Sequence, residues 1–170
     1  MRVIAEANQR ALHLAPIDFV HLCLVRHHCR GGDGDGPAIA GQVLIYPAVD
    51  FAMTHPSHRD PDTSILLTHS VIRWFSAHYL NSHSDVADWR ASPARAKILT
   101  GLPPAYVLTV GADPLRDEGD EYAGRLKEAG VPVTYRHFPG QFHGFFTMGK
   151  LLQQGNVAVS EISAWLKSLN

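Results

Sequence analysis

An aspartate and a histidine stand out as a pair that could perform acid–base chemistry. Asp113 lies in the run Gly-Ala-Asp-Pro-Leu-Arg-Asp-Glu-Gly at 111–119, and His143 lies in Phe-Pro-Gly-Gln-Phe-His-Gly-Phe-Phe at 138–146. A carboxylate that accepts the imidazole Nδ1 proton fixes the tautomer and stabilises the imidazolium that forms when Nε2 takes a proton from a nucleophile. The two side chains therefore predict general-base activation of a nucleophile, provided that the fold brings them together.

Each residue also has a structural interpretation. Asp113 precedes Pro114, and an aspartate followed by proline is a common start of a helix, with the aspartate as N-cap. His143 lies between Phe142 and Gly144, where a single histidine is often structural. Capping does not exclude catalysis, so both interpretations stay open at this stage.

The elements that must position the pair are buried strands and helices. Residues 41–47, 104–111 and 131–138 are short apolar runs typical of strands buried in a parallel sheet. Residues 117–129 form a predicted helix that Gly130 closes, and residues 156–169 form another with a broad apolar face. This order predicts an α/β fold in which right-handed crossovers connect parallel strands. Asp113 and His143 follow neighbouring strands at their carboxyl ends, where ligands of such sheets bind.

Two further segments frame these elements. Residues 1–29 are helix-compatible but irregular, and the glycine- and aspartate-rich stretch 30–37 is a predicted loop. Residues 50–100 begin as an irregular loop and then carry apolar and aromatic residues at helical spacing over 66–80, which predicts an insertion lying over the sheet.

Composition limits the classes of function. The chain has 170 residues, 45% hydrophobic and 18% charged, with a net charge of −1, as expected for a single globular domain. Lysine and arginine are scattered, so we expect no nucleic-acid partner. No apolar run is long enough for a membrane span, no signal peptide is recognisable, and Cys23 and Cys29 are expected to be free thiols. A cytoplasmic location is the default expectation.

Several ordered motifs together resemble one known family. They are 46–50 (Tyr-Pro-Ala-Val-Asp), 74–80, Ser92-Pro93, 101–105 (Gly-Leu-Pro-Pro-Ala), 111–118 and 143–146 (His-Gly-Phe-Phe). Over about residues 36–169 the chain resembles the hormone-sensitive-lipase branch of the α/β-hydrolases, which are carboxylesterases. The resemblance implies the C-terminal portion of that fold, with three recognisable strands of about eight. It also implies a small acyl-ester substrate and no cofactor.

The resemblance assigns roles to individual residues. Asp113 would be the acid and His143 the base of a catalytic triad, with Asp117 as the second candidate for the acid. Residues 52–92 would contribute to a cap over the acyl pocket, with Trp74, Phe75 and Tyr79 as substrate-binding wall residues. Core packing of an amphipathic helix is the alternative role for these three side chains. Family members often pair through the final strand and helix, so a homodimer is compatible with the resemblance.

The nucleophile that the family requires is not recognisable. The Gly-Asp-Ser-Ala-Gly elbow would fall near residues 12–18, which read Leu-His-Leu-Ala-Pro-Ile-Asp, and no His-Gly-Gly-Gly oxyanion loop precedes them. Ser57, Ser64 and Ser70 lie in the cap segment without the strained turn that exposes a nucleophile, and neither cysteine has the flanking small residues of an elbow.

We therefore expect residues 1–35 to be a divergent or misread segment and 36–170 to be the α/β-hydrolase portion, which would be inactive or nearly so alone. The first recognised strand would then have an unpaired edge, making the protein marginally stable, aggregation-prone or partner-seeking.

Two other classes of function remain open. One is a non-catalytic binding or interaction module that keeps the cap pocket. The other is metal binding through the histidines and cysteines of 21–29, which is disfavoured because their spacing differs from that of paired zinc ligands. We therefore expect no metal site.

Overall fold

The computed structural model describes residues 21–29 and 38–169, and these form one sheet with three α-helices. The strands are β1 (His21–Cys29), β2 (Ala38–Ile45), β3 (Ala105–Ala112) and β4 (Val133–Phe142). The helices are α1 (His69–Tyr79), α2 (Arg116–Glu128) and α3 (Gln153–Ser168). The predicted loop at 30–37 and the possible elbow region at 12–18 lie outside the described residues.

The sheet has the order β1-β2-β3-β4, with β2, β3 and β4 parallel. The α/β class and the three parallel strands are thus confirmed. Strand β1 pairs antiparallel with β2, from His21 opposite Leu44 to Cys29 opposite Ala38. Two expectations are therefore wrong: residues 21–29 are extended rather than helix-compatible, and the first recognised strand is not an unpaired edge. The apolar run Leu-Cys-Leu-Val at 22–25 suits a strand, and pairing with β1 satisfies the backbone groups of β2.

Alternate side chains of the parallel strands enter two cores. On one face, residues such as Val43, Leu108 and Phe138 pack with Ile162 of α3. On the other face, Leu44 and Val107 pack with Leu126 of α2. Because β2 and β3 are buried on both faces, they have nearly continuous apolar sequences, as parallel strands covered by helices do.

The insertion between β2 and β3 consists of short 3₁₀ turns around helix α1. The side chain of Thr68 caps α1 by accepting a hydrogen bond from the backbone N–H of Val71 at 3.3 Å. Ile72 of α1 and Leu67 pack against Leu115, which lies just before α2. This contact anchors the insertion beside the turn that carries Asp113.

Strands β3 and β4 change register near their carboxyl ends. Val110 pairs with Phe138 and Ala112 with Phe142, so a step of two residues in β3 faces a step of four in β4. Gly111 lies at this bulge, and a Cβ atom there would overlap the backbone carbonyl oxygen of Pro139. Only glycine permits this close approach of the two backbones.

Within the described part of the chain, no helix combines the length and the apolar character that a membrane crossing requires.

Candidate active site

Asp113 and His143 form a buried hydrogen-bonded pair. Oδ2 of Asp113 lies 2.8 Å from Nδ1 of His143. The side chain of Asp113 is completely buried and that of His143 is 2% exposed. With the Nδ1 proton held by the carboxylate, Nε2 of His143 is the nitrogen left to exchange a proton with a nucleophile. The pair has the arrangement of an acid and a base that act together.

The register of the sheet creates this pair. Asp113 and His143 directly follow Ala112 and Phe142, which are partners in the β3–β4 ladder. The backbone N–H of His143 donates to the carbonyl of Ala112 at 3.2 Å. Gly144 comes next with a φ of 95°, which glycine adopts at little cost, so the chain turns away immediately after the histidine.

The second carboxylate oxygen of Asp113 orients the side chain from within its own turn. Oδ1 accepts a hydrogen bond from the backbone N–H of Leu115 at 2.9 Å. Helix α2 begins only at Arg116, with Leu115 as its N-cap residue. The N-cap interpretation of Asp113 is therefore wrong. Its carboxylate instead forms an Asx turn with the backbone N–H of Leu115, because Pro114 has no N–H and Leu115 provides the first available donor.

Tyr46 and Leu66 complete the immediate surroundings of the histidine. The ring of Tyr46, which follows β2 with a φ of 35°, has its centroid 4.2 Å from that of the imidazole. A Cβ atom at Gly144 would lie 3.0 Å from Cδ2 of Leu66, so this residue of the insertion lies against the turn that follows His143. Neither residue was assigned a site role from sequence. Tyr46 could have been found by the same rule as Asp113, since it too follows a parallel strand.

Asp117 and Ser57, two candidates considered from sequence, contact each other. Oδ2 of Asp117 accepts from the backbone N–H of Ser57 at 2.8 Å, and Oγ of Ser57 donates to the carbonyl of Pro114 at 2.6 Å. Burial raises the pKa of Asp117, but the hydrogen bonds from Ser57 and Arg116 outweigh it and hold the pKa below its usual value. Asp117 therefore braces the turn that Asp113 occupies, and Ser57 is completely buried.

Glu118 and His58 extend this brace into the protein interior. Oε1 of Glu118 accepts from the backbone N–H groups of Val49 at 2.6 Å and Asp50 at 3.1 Å, while Oε2 lies 2.6 Å from Nε2 of His58. Both side chains are 1% exposed. The start of α2 is thus tied to the segment after β2 and to the first turn of the insertion. The sequence interpretation missed both residues, although a Glu within an apolar helix face was a detectable signal.

The three aromatic residues predicted to line the substrate pocket lie on or beside α1. Trp74 is 46% exposed and its ring contacts those of Phe75 and His78. Tyr79 is half-buried and stacks on Phe51 with ring centroids 5.3 Å apart. Burial raises the pKa of the Tyr79 hydroxyl. Ile72 is the buried residue of α1, so core packing does not account for Trp74. Their role as a pocket wall stays a prediction.

A cleft of about 730 Å³ borders the β3–β4 bulge at Gly111, Ala112 and Pro139. It is bordered by polar and charged residues including Asp60, Arg116, Asp120 and His137. Asp113, His143 and the three aromatic residues do not line it, and its charged walls do not suit an acyl chain.

Comparison with known proteins places this geometry in a family. A model of the alpha/beta hydrolase fold matches residues 21–147. The chain belongs to the α/β-hydrolases. The expected hormone-sensitive-lipase-like branch is thereby confirmed, and the match begins within the segment expected to be unlike the family.

Relatives of this α/β-hydrolase are ester hydrolases. It is 38% identical to the carboxylic ester hydrolase LipN of Mycobacterium tuberculosis over 134 residues, which cover 78% of this chain and 36% of LipN. It is 34% identical to the ethyl acetate hydrolase of Pseudomonas putida over 115 residues, covering 68% of this chain and 36% of that enzyme.

A solved ester hydrolase from the Lake Arreo metagenome is 44% identical, with a TM-score of 0.74, covering 82% of this chain and 44% of that one. This α/β-hydrolase chain thus spans less than half of the length of these relatives.

Proposed function

We propose that this chain carries the acid–base part of a carboxylic-ester hydrolase, with Asp113 as the acid and His143 as the base. The observation that supports this most directly is the 2.8 Å contact between Oδ2 of Asp113 and Nδ1 of His143, with both side chains buried. In ester hydrolysis the base takes the proton of the nucleophile and later returns it to the leaving alcohol. The ester hydrolases among the relatives support the same reaction class.

We also propose that these residues do not complete the reaction without a further nucleophile. Ser57 is completely buried, and its hydroxyl donates a hydrogen bond to the backbone carbonyl of Pro114. Strand β1 runs antiparallel to β2, and Cys29 pairs with Ala38 at the start of β2. Cys29 therefore lies at the opposite end of the strands from Asp113 and His143. Cys23 pairs with Gln42 in the middle of the strand. Without an acyl-enzyme and oxyanion donors, turnover falls by several orders of magnitude. The divergent or misread segment, expected over 1–35 with the hydrolase portion at 36–170, would end before residue 21, where the match to the family model begins.

The chain alone provides the first test. Short-chain p-nitrophenyl esters should be hydrolysed no faster by this chain than by its His143→Ala variant. Saturable binding of the ester without turnover would favour the binding-module alternative, and rapid His143-dependent hydrolysis would contradict the proposed need for a further nucleophile.

The acid–base assignment is tested in a complete site. Residues 39–169 would replace the matching segment of the Lake Arreo ester hydrolase. We expect esterase activity that falls about 10³-fold or more on His143→Ala or Asp113→Asn, as removal of a triad member does. The control is His137→Ala. His137 lies within β4, the strand that precedes His143, and its Nδ1 is 2.9 Å from the hydroxyl of Thr109. Equal losses in the control and in the two site variants would contradict the assignment.

A further inference from the structure

Three metal-ligating side chains converge at a place that the proposed acid–base pair does not use. A nitrogen of His55, a nitrogen of His58 and a carboxylate oxygen of Glu118 all lie within 4.8 Å of one another. The side chains are 15%, 1% and 1% exposed, respectively. We propose that these three residues bind a divalent transition-metal ion of the zinc class.

The local backbone explains the convergence of the two histidines. They flank Pro56 and Ser57 in a His-x-x-His spacing, with His55 as the N-cap residue and His58 as the last residue of a 3₁₀ turn. Side chains three residues apart in such a turn lie on the same side. Their ring centroids are 6.4 Å apart. Glu118 approaches from the first turn of α2, so two separate segments would share the ion.

The hydrogen bonds around the cluster leave ligand atoms available. Oε1 of Glu118 is held by the backbone N–H groups of Val49 and Asp50, which leaves Oε2 directed at His58. Nε2 of His55 lies 3.1 Å from Oε2 of Glu121. A carboxylate on one imidazole nitrogen orients the ring and makes the other nitrogen a better metal ligand.

A buried nitrogen atom of His55 without a partner favours a ligand at this place. Nδ1 of His55 is buried and makes no hydrogen bond within the described part of the chain, and it is the nitrogen that would bind the ion, because Nε2 of the same ring faces Glu121. A buried polar atom without a partner is unfavourable. Nε2 of the neighbouring His69 is also buried without a hydrogen bond, and the His69 ring centroid is 5.9 Å from that of His58.

The geometry requires only a small adjustment to hold an ion. Ligand atoms about 2.1 Å from a tetrahedral zinc ion are about 3.4 Å apart. His58 Nε2 and Glu118 Oε2 are now 2.6 Å apart, so the contact would open to admit the ion, and the proton on Nε2 would move to Nδ1 of the same ring. Three protein ligands leave a fourth position for water.

Such an ion would act as a structural link. It would join the start of the insertion to α2, which follows the turn that carries Asp113. Because an ion that binds only the folded chain shifts the folding equilibrium, binding would raise thermal stability.

The test must exclude metal binding by the histidines and cysteines at 21–29. All variants are therefore made in a Cys23→Ser, Cys29→Ser background of the full chain. Co(II) is titrated while its visible absorption is followed, and Zn(II) binding is measured by equilibrium dialysis. We expect His55→Ala to bind one equivalent less than the background, whereas His83→Ala, which changes an exposed histidine, should match the background.

A second variant keeps the result decisive if His55→Ala perturbs folding. Glu121→Gln changes a carboxylate that is 61% exposed, and it should weaken binding about 10- to 100-fold by removing the group that orients His55. Circular dichroism would confirm that each variant is folded. Equal stoichiometry and affinity in the background, His55→Ala and Glu121→Gln would overturn the proposal, as would the absence of binding to the background.

Discussion

The carboxylate of Glu118 accepts a hydrogen bond from the backbone N–H of Val49 at 2.6 Å, although 69 positions separate the two residues. This contact fastens the first turn of α2 to the segment after β2. Asp113, the proposed acid, lies in the turn just before this part of α2. The turn is therefore held in place partly by a carboxylate that takes no part in the proposed proton transfer.

Replacing Glu118 should therefore destabilise the protein strongly. Glu118→Ala leaves the N–H groups of Val49 and Asp50 and the ring of His58 without their partner, and such a loss costs about 3–5 kcal/mol. Urea unfolding in metal-free buffer measures this change. Glu128→Ala, at an exposed position of the same helix, is the matched control and should change the free energy of unfolding by less than about 0.5 kcal/mol. Similar effects of both variants would contradict the structural role of Glu118.

The bulge between β3 and β4 should tolerate no side chain at Gly111. In Gly111→Ala the new Cβ would overlap the carbonyl oxygen of Pro139, and we expect a loss of about 1–3 kcal/mol with displacement of His143. Gly124→Ala in α2 is the control: its Cβ would have no neighbour within 4 Å, so it should stabilise the protein by about 0.5–1 kcal/mol. Urea unfolding compares the two variants. A neutral Gly111→Ala would show that the bulge is not required.

The ion pair between Glu161 and Arg136 should make stability depend on acid pH. The hydrogen bond from Arg136 is the main cause that lowers the pKa of Glu161 below 4.5, burial opposes it, and the hydroxyl of Tyr106 also lowers it. Because the pKa in the folded state is the lower one, the contribution is complete above about pH 4.5 and is lost as the pH falls through the folded value.

The size of this effect is limited by solvent. The side chains of Arg136 and Glu161 are 46% and 32% exposed, so the pair contributes at most about 1 kcal/mol. Thermal unfolding between pH 3 and 7 would be compared for the unmodified chain and Arg136→Gln. We expect a smaller decrease in acid for the variant, and identical pH profiles would contradict the prediction.

Trp74 should affect ligand binding more than folding. Its side chain is 46% exposed, so Trp74→Ala should change the free energy of unfolding by less than about 1 kcal/mol. Ile72→Ala, two residues earlier and on the buried face of the same helix, should cost about 2–5 kcal/mol. In the chimaeric esterase, Trp74→Ala should raise KM for a short-chain ester without an equal loss of stability. An unchanged KM would remove Trp74 from the proposed pocket wall.

Local patterns were sufficient for the parallel part of the sheet. The predicted strand at 104–111 corresponds to β3 at Ala105–Ala112, and the predicted helix at 117–129 corresponds to α2 at Arg116–Glu128. Strands that are buried on both faces require apolar runs, and helix ends require glycine or proline, so both features are visible in single segments. Residues 21–29 were misjudged because their apolar run covers only 22–25 and polar residues follow it, so no continuous run marks the whole strand.

The sequence by itself determined the α/β class and made Asp113 and His143 the candidates for the acid–base pair, because both inferences depend on residue types within short segments. Tertiary structure alone decided that the two side chains meet: the β3–β4 bulge and the attachment of Glu118 and Ser57 set their positions. It also decided that His55 and His58 approach Glu118, since that contact joins segments 60 residues apart. Packing and strand register depend on contacts between segments that are far apart in sequence, so they cannot be predicted from local residue patterns.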